Sequence, residues 1–219
     1  MTNKDIKSYA KSCVKGNLGK IFPPFFLVFL IEAAILAPSL AKLAHISFKN
    51  ELLSAFTDIA SLFTCVLYVG LADICISVVR KYPYGLSDVF SGTSQFGYIL
   101  LTNLLAGLFI LLKSLLLIVP GIIEAYALSM TNLVRAEDPS LGPKEAIDRS
   151  RWLMDGNKFD FFKLQLSFIP WFLLSIVTLG IGAVYVVPYY NISVAAFYEN
   201  LLMQERALTK PADTPESES

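Results

Sequence analysis

The chain alternates long apolar runs with short charged segments. Residues 21–41 read "IFPPFFLVFLIEAAILAPSLA", with Pro23 and Pro24 in the opening turn, where a missing N–H costs a helix little. A second run lies within 52–79 and ends "LFTCVLYVGLADICISVV", and a third, "GYILLTNLLAGLFILLKSLLLIV", fills 97–119. "FFKLQLSFIPWFLLSIVTLG" covers 161–180, and "IGAVYVVPYYNISVAAFYENLL" gives a last run of about 182–203. Each is near the roughly 20 residues that a bilayer-crossing helix needs.

The stretch from Gly97 to Val134 is apolar almost throughout. As one straight helix it would reach about 57 Å at 1.5 Å per residue, nearly twice the roughly 30 Å hydrocarbon core. It must therefore double back. Pro120-Gly121 is the strongest turn signal inside it, so the expected hairpin tip lies there, with a short fourth span at 122–136. The expected architecture is an all-α integral membrane protein of about six transmembrane helices in three hairpins.

The charged segments have a pattern of their own. "KDIKSYAKSCVKGN" (4–17) aligns without gaps on "KEAIDRSRWLMDGN" (144–157). Ile6, Ala10, Cys13 and Val14 fall on Ala146, Ser150, Leu153 and Met154, the i, i+4, i+7, i+8 spacing of one helix face. Gly16-Asn17 matches Gly156-Asn157, a natural helix end, and Pro143 with Glu145 marks a helix start. "VFSG" (89–92) is a shorter echo of "CVKG" and "LMDG". The chain thus reads as three units, each an amphipathic cytoplasmic helix followed by a transmembrane hairpin. The expected helices are an in-plane one at 4–15 and a cytoplasmic one at 143–155. The tail, 204–219, is polar and Pro/Ser-rich at its end and is expected to be disordered.

Composition agrees with the runs: 55% of residues are hydrophobic and 16% charged, against about 25% charged in a soluble domain. Net charge is zero, which points to no nucleic-acid partner, but its distribution orients the chain. Fifteen of the 18 lysines and arginines fall on one side if six spans alternate, so both termini are expected in the cytoplasm and the chain in the cytoplasmic membrane. "SLA" at 39–41 could mimic a signal cleavage site, but the polar leader is too long, and no cleavage is expected.

Candidate chemistry is sparse. Three cysteines without CxxC spacing and the single His45 give no metal set, and no HExxH, GxSxG or Walker A motif occurs. No cofactor and no enzymatic activity are expected. Ionisable groups within lipid are functional candidates by default: Glu32, Asp73 and Lys113, with Glu124 near a membrane face. Glu32 and Lys113 are expected at similar depth as an ion pair, and Asp73 at interfacial water or a lysine. Tyr126, Asn132, Tyr190 and Asn191 are polar positions for interhelical bonds or a cavity. Lys4, Lys7, Lys11 and Lys15 line one side of the first helix, which suits an anionic lipid surface.

The segments "DVFSGTSQFG", "LLLIVPGIIEAYALSM", "EAIDRSRWLMDGNKFDFFKLQLSFIPWFLLSIVTLGIG" and "PYYNISVAAFYENL" resemble the bacterial family catalogued as domain of unknown function 975. The resemblance covers nearly the whole chain and is strongest from Asp88 to Leu201. It implies a multi-pass membrane protein and carries no activity. The expected role is a non-enzymatic interaction or accessory protein that binds membrane lipids, partner proteins or a second copy of itself. The alternative is a small transporter with a polar path through the bundle.

Overall fold

The computed structural model describes residues 2–43, 51–178, 180 and 182–209, with side chains at 2–15, 17–35, 62–115, 117–178, 180 and 182–208. The described residues form helices and no strand: α1 (Asn3–Leu43), α2 (Glu51–Arg80), a 3-10 helix (Leu86–Gln95), α3 (Phe96–Leu116), α4 (Ile118–Ala127), α5 (Thr131–Glu137), α6 (Pro143–Leu153), α7 (Lys158–Leu166), α8 (Ile169–Val177) and α9 (Ala183–Thr209). Among them, four helical stretches are long and apolar enough to cross a membrane: Asn17–Ile35, Leu62–Arg80, Leu86–Leu115 and Lys158–Val177.

The pairings between helices give three antiparallel hairpins. Tyr9 meets Val79 while Glu32 meets Tyr68, which opposes α1 and α2. Lys113 meets Glu124 across α3 and α4. The Phe161 ring meets that of Phe197 and the Phe172 ring that of Tyr190, so α7–α8 runs against α9.

The middle hairpin turns earlier than expected. Its pivot is Leu117, which is extended (φ −160°, ψ 140°), and Pro120 sits in the first turn of α4. There its missing N–H is one that the helix leaves unpaired anyway. Gly121 faces α3 so closely that a Cβ would lie 2.8 Å from the Cα of Ser114. Glycine is thus required for helix contact and not for the turn. The expected fourth span at 122–136 is also broken, by the turn at residues 128–130 that separates α4 from α5. The fifth run breaks between Leu166 and Ile169, because Pro170 lacks an N–H and its ring would clash with the Leu166 carbonyl. The sixth helix, α9, continues to Thr209, so 204–209 are helical and not a disordered tail; residues 210–219 lie outside the described ones.

The amphipathic segments join the core. Ile6, Ala10, Cys13, Val14, Ala146, Ser150, Leu153 and Met154 are all between 0 and 8% exposed, so the face read from the repeat is an interior face. The first of these helices is not separate: α1 runs from it into the apolar stretch through a kink at non-helical Asn17 (φ −131°, ψ 16°). One core cluster joins residues of α1, α2, α5, α6, α7 and α9.

Candidate functional site

Three polar groups tie the helices together, each part-buried. The first centres on Glu124, which is 4% exposed. The α3–α4 pivot places Lys113 opposite it, with Nζ donating to Oε2 at 2.5 Å. From α6, Arg151 donates Nε to the other oxygen, Oε1, at 2.9 Å, and its Nη2 reaches the same atom. Arg151 also binds Asp148 one turn earlier, at 3.2 Å, and covers the Phe109 ring at 4.5 Å. One carboxylate thus ties three helices together. Both its oxygens are occupied, so in this arrangement it is a staple and not a free acid or base. Removing a single partner of such a pair strands the remaining charge.

The second group lies where α2, α5, α6 and α9 meet. Arg80 donates Nε to Glu199 at 2.6 Å and Nη2 to Glu137 at 2.5 Å. The Tyr198 hydroxyl donates to the second oxygen of Glu137. Beside them Arg149 grips Glu205 with both terminal nitrogens, at 2.6 and 2.5 Å, the two-pronged geometry that suits guanidinium and carboxylate. The Glu205 carboxylate raises the Arg149 guanidinium above its ordinary value. Close to α3, Arg135 is 2% exposed; it donates to the Leu141 carbonyl and to Gln95.

The third is a chain of side-chain hydrogen bonds. Tyr126 donates to Gln165 Oε1 at 2.9 Å, and Gln165 Nε2 donates to the Tyr190 hydroxyl at 3.1 Å. Phe161 and Phe162 meet the Tyr126 ring edge-on, and Phe168 does the same to Tyr190.

Of the residues expected from sequence, the structure joins Lys113 to Glu124 directly and Tyr126 to Tyr190 through Gln165. The expected Glu32–Lys113 pair does not form: Glu32 instead neighbours the Tyr68 hydroxyl. Asp73 hydrogen bonds with Ser91 of the 3-10 helix and not with a lysine. Asn132 carries a buried side-chain oxygen without a protein partner, and Asn191 donates to Val187 of its own helix. Lys4, Lys11 and Lys15 are exposed, whereas Lys7 turns inward to Ser167 Oγ at 3.0 Å and to the face of Phe168. Sequence reasoning missed Arg80, Arg135, Glu137, Arg149, Arg151, Gln165, Tyr198 and Glu199. The available signal was the use of arginine, which suits forked pairing better than lysine. Among the described residues no cluster of His, Cys, Asp and Glu could hold a metal, and the three cysteines are free. His45 lies outside them.

Residues 114–205 match the family described as Protein of unknown function (DUF975). The matched region contains α4 to α8 and α9 as far as residue 205, and with them Glu124, Arg151, Glu137, Arg149 and the Tyr126–Gln165–Tyr190 chain. It is shorter than the resemblance read from sequence, which covered nearly the whole chain and was strongest from Asp88 to Leu201. No curated protein and no solved structure matches the chain.

Proposed function

We propose that this is a multi-pass protein of the cytoplasmic membrane, with six crossings, both termini in the cytoplasm, and a non-catalytic role in binding lipids or partner proteins. The observation that carries the reading is an uninterrupted apolar stripe. Leu104, Leu108, Leu111 and Leu115 project outward from one side of α3, and Ile118, Val119 and Ile122 continue the stripe onto α4. Ile176 and Val177 at the end of α8 are exposed in the same way. Apolar patches on this scale mark membrane or protein contact.

The filled interior supports binding over transport. Arg80 pairs with Glu137 and Glu199, Arg149 with Glu205 and Arg151 with Glu124, and an outward-facing apolar groove of about 180 Å³ lies between Phe22, Phe26, Phe29, Val184 and Pro188. Topology is tested with single cysteines at positions 85, 118 and 145 in a chain lacking Cys13, Cys65 and Cys75. An impermeant maleimide applied to intact cells labels 118 only; labelling at 85 or 145 overturns the arrangement.

A transport reading rests on the polar line from Arg151 through Glu124 to Lys113, with the Tyr126–Gln165–Tyr190 chain nearby. Solute or proton flux in proteoliposomes that Glu124→Gln abolishes, with the protein still folded, would replace binding by transport.

A further inference from the structure

We propose that the groove between the N-terminal segment of α1 and the end of α2 holds the phosphate-bearing headgroup of an anionic phospholipid. The proposal rests on the membrane reading above and names the ligand for one place in it.

The groove, about 720 Å³, includes Tyr9, Ser12, Asn17, Lys20, Lys81 and Tyr82 in its lining. That volume is in the range of sites for small ligands. Two cations line it, Lys20 of α1 and Lys81 just past the end of α2, and no carboxylate does. Arg80, Lys113, Arg149 and Arg151 each have an acidic partner, but neither Lys20 nor Lys81 forms an ion pair among the described residues. Positive charge is thus left unneutralised at one groove while the neighbouring clusters balance theirs.

The backbone supplies a second, independent observation. Lys81 has φ +59°, and among the described residues the others in that region, Gly156 and Gly180, are glycines. Lys81 N–H bonds to the Val78 carbonyl and Tyr82 N–H to that of Ser77, the close of a helix whose left-handed residue is usually glycine. A side chain there is unfavourable, and strain of this kind points to use of the residue. A lysine stands where the fold prefers glycine.

Position decides between a lipid and a soluble phosphate. Lys20 lies near the start of the apolar stretch Asn17–Ile35, and Lys81 directly follows the stretch Leu62–Arg80. Tyr82, in the lining, is exposed. Basic and aromatic side chains at the ends of apolar stretches sit at headgroup depth, where acyl chains continue along the helices.

The test titrates full-length protein in neutral detergent with short-chain phosphatidylglycerol, phosphatidylcholine and glycerol 1-phosphate. Phosphatidylglycerol should bind at least tenfold more tightly than the other two. Lys20→Gln and Lys81→Gln should each lose about fivefold, while Lys144→Gln, at an exposed lysine of α6, should lose nothing. Lys81→Gly is the decisive variant: it should lose the same fivefold while raising Tm by about 2–4 °C through relief of the strained backbone. Equal affinity for the two lipids, retained binding in Lys81→Gly, a lowered Tm in that variant, or an equal loss in Lys144→Gln each overturns the proposal. Glycerol 1-phosphate binding as tightly as the lipid assigns the groove to a soluble phosphate instead. Failure of the membrane reading looks different: the protein would then stay dispersed without detergent, before any titration.

Discussion

The N-terminal helical segment, residues 3–15, and α6 are one element built twice. Each starts with a backbone N–H bound to an acidic side chain three residues on, Thr2 to Asp5 at 2.9 Å and Gly142 to Glu145 at 2.8 Å. Each buries the same four aligned positions, and each has an asparagine donating back four residues, Asn17 to Cys13 and Asn157 to Leu153. They differ in the outer face and in the exit. Arg151 aligns with Lys11: the arginine is tied to Glu124, whereas the lysine is exposed and forms no ion pair among the described residues. After the asparagine-bearing end, α1 continues through a kink, while α6 stops at Gly156 with φ +74°. The inner face is therefore what makes the unit, and the outer face is free to take different work.

Breaking the outer-face contrast gives the largest effect. Glu124→Gln leaves Lys113 and Arg151 without their shared counter-ion inside the bundle. Loss of one partner from a fully buried pair costs about 3–5 kcal/mol. With Lys113 48% and Arg151 30% exposed, the expected cost is at the low end, about 3 kcal/mol, or a fall of roughly 6–12 °C in Tm for a chain of this size. Lys11→Gln should stay within about 0.5 kcal/mol, as exposed substitutions do. Thermal unfolding in detergent compares them; equal losses would mean that the two outer faces do the same job.

Next is the inner face, where the two copies should behave alike. Ala10 and Ser150 align and both are fully buried. Leucine at either site overpacks the core and should cost about 1–3 kcal/mol. Ser150→Leu should be the worse by about 1 kcal/mol, since Ser150 Oγ also donates to the Ala127 carbonyl at 2.8 Å. A tolerated leucine at one site alone would show that the units are alike in sequence and not in packing.

These buried positions were legible because a helix face repeats every three to four residues and the two copies align without gaps. The ion pairs were not, since their register depends on where a hairpin turns. A pivot at Pro120-Gly121 would set Lys113 against residue 128; the observed pivot at Leu117 sets it against residue 121 instead, and the lysine side chain reaches Glu124 one turn further along α4. That small displacement hid the pair and made Glu32 look like the available partner. Arg135 was hidden for another reason. It reads as a flanking cation after an apolar run, and its burial depends on Leu141 and Gln95, which sequence separates from it by six and 40 residues.

The exits give a smaller effect. Gly156→Ala meets no neighbouring atom, so its cost is purely that of a left-handed backbone, about 1–2 kcal/mol. Asn17→Ala at the kink loses one long hydrogen bond of 3.4 Å and should cost no more than about 0.5 kcal/mol. Similar losses at both sites would erase the distinction between a helix that stops and one that bends.

The smallest effect concerns Lys7, which aligns with fully buried Ile147. Lys7 is half-buried against Ser167 and Phe168, and burial lowers its ammonium pKa below the ordinary 10.5. The folded protein therefore binds fewer protons at this site than the unfolded chain between the lowered value and 10.5. Stability must rise with pH through that window and be flat below it. Lys7→Ile copies the third unit into the first and should remove the rise, leaving a difference between the two stability-versus-pH curves of a few tenths of a kcal/mol, as screening at a partly exposed amine requires. Curves recorded from pH 7 to 10.5 that stay parallel, or that diverge with the opposite sign, would show that the lysine is no more perturbed in the fold than in the open chain.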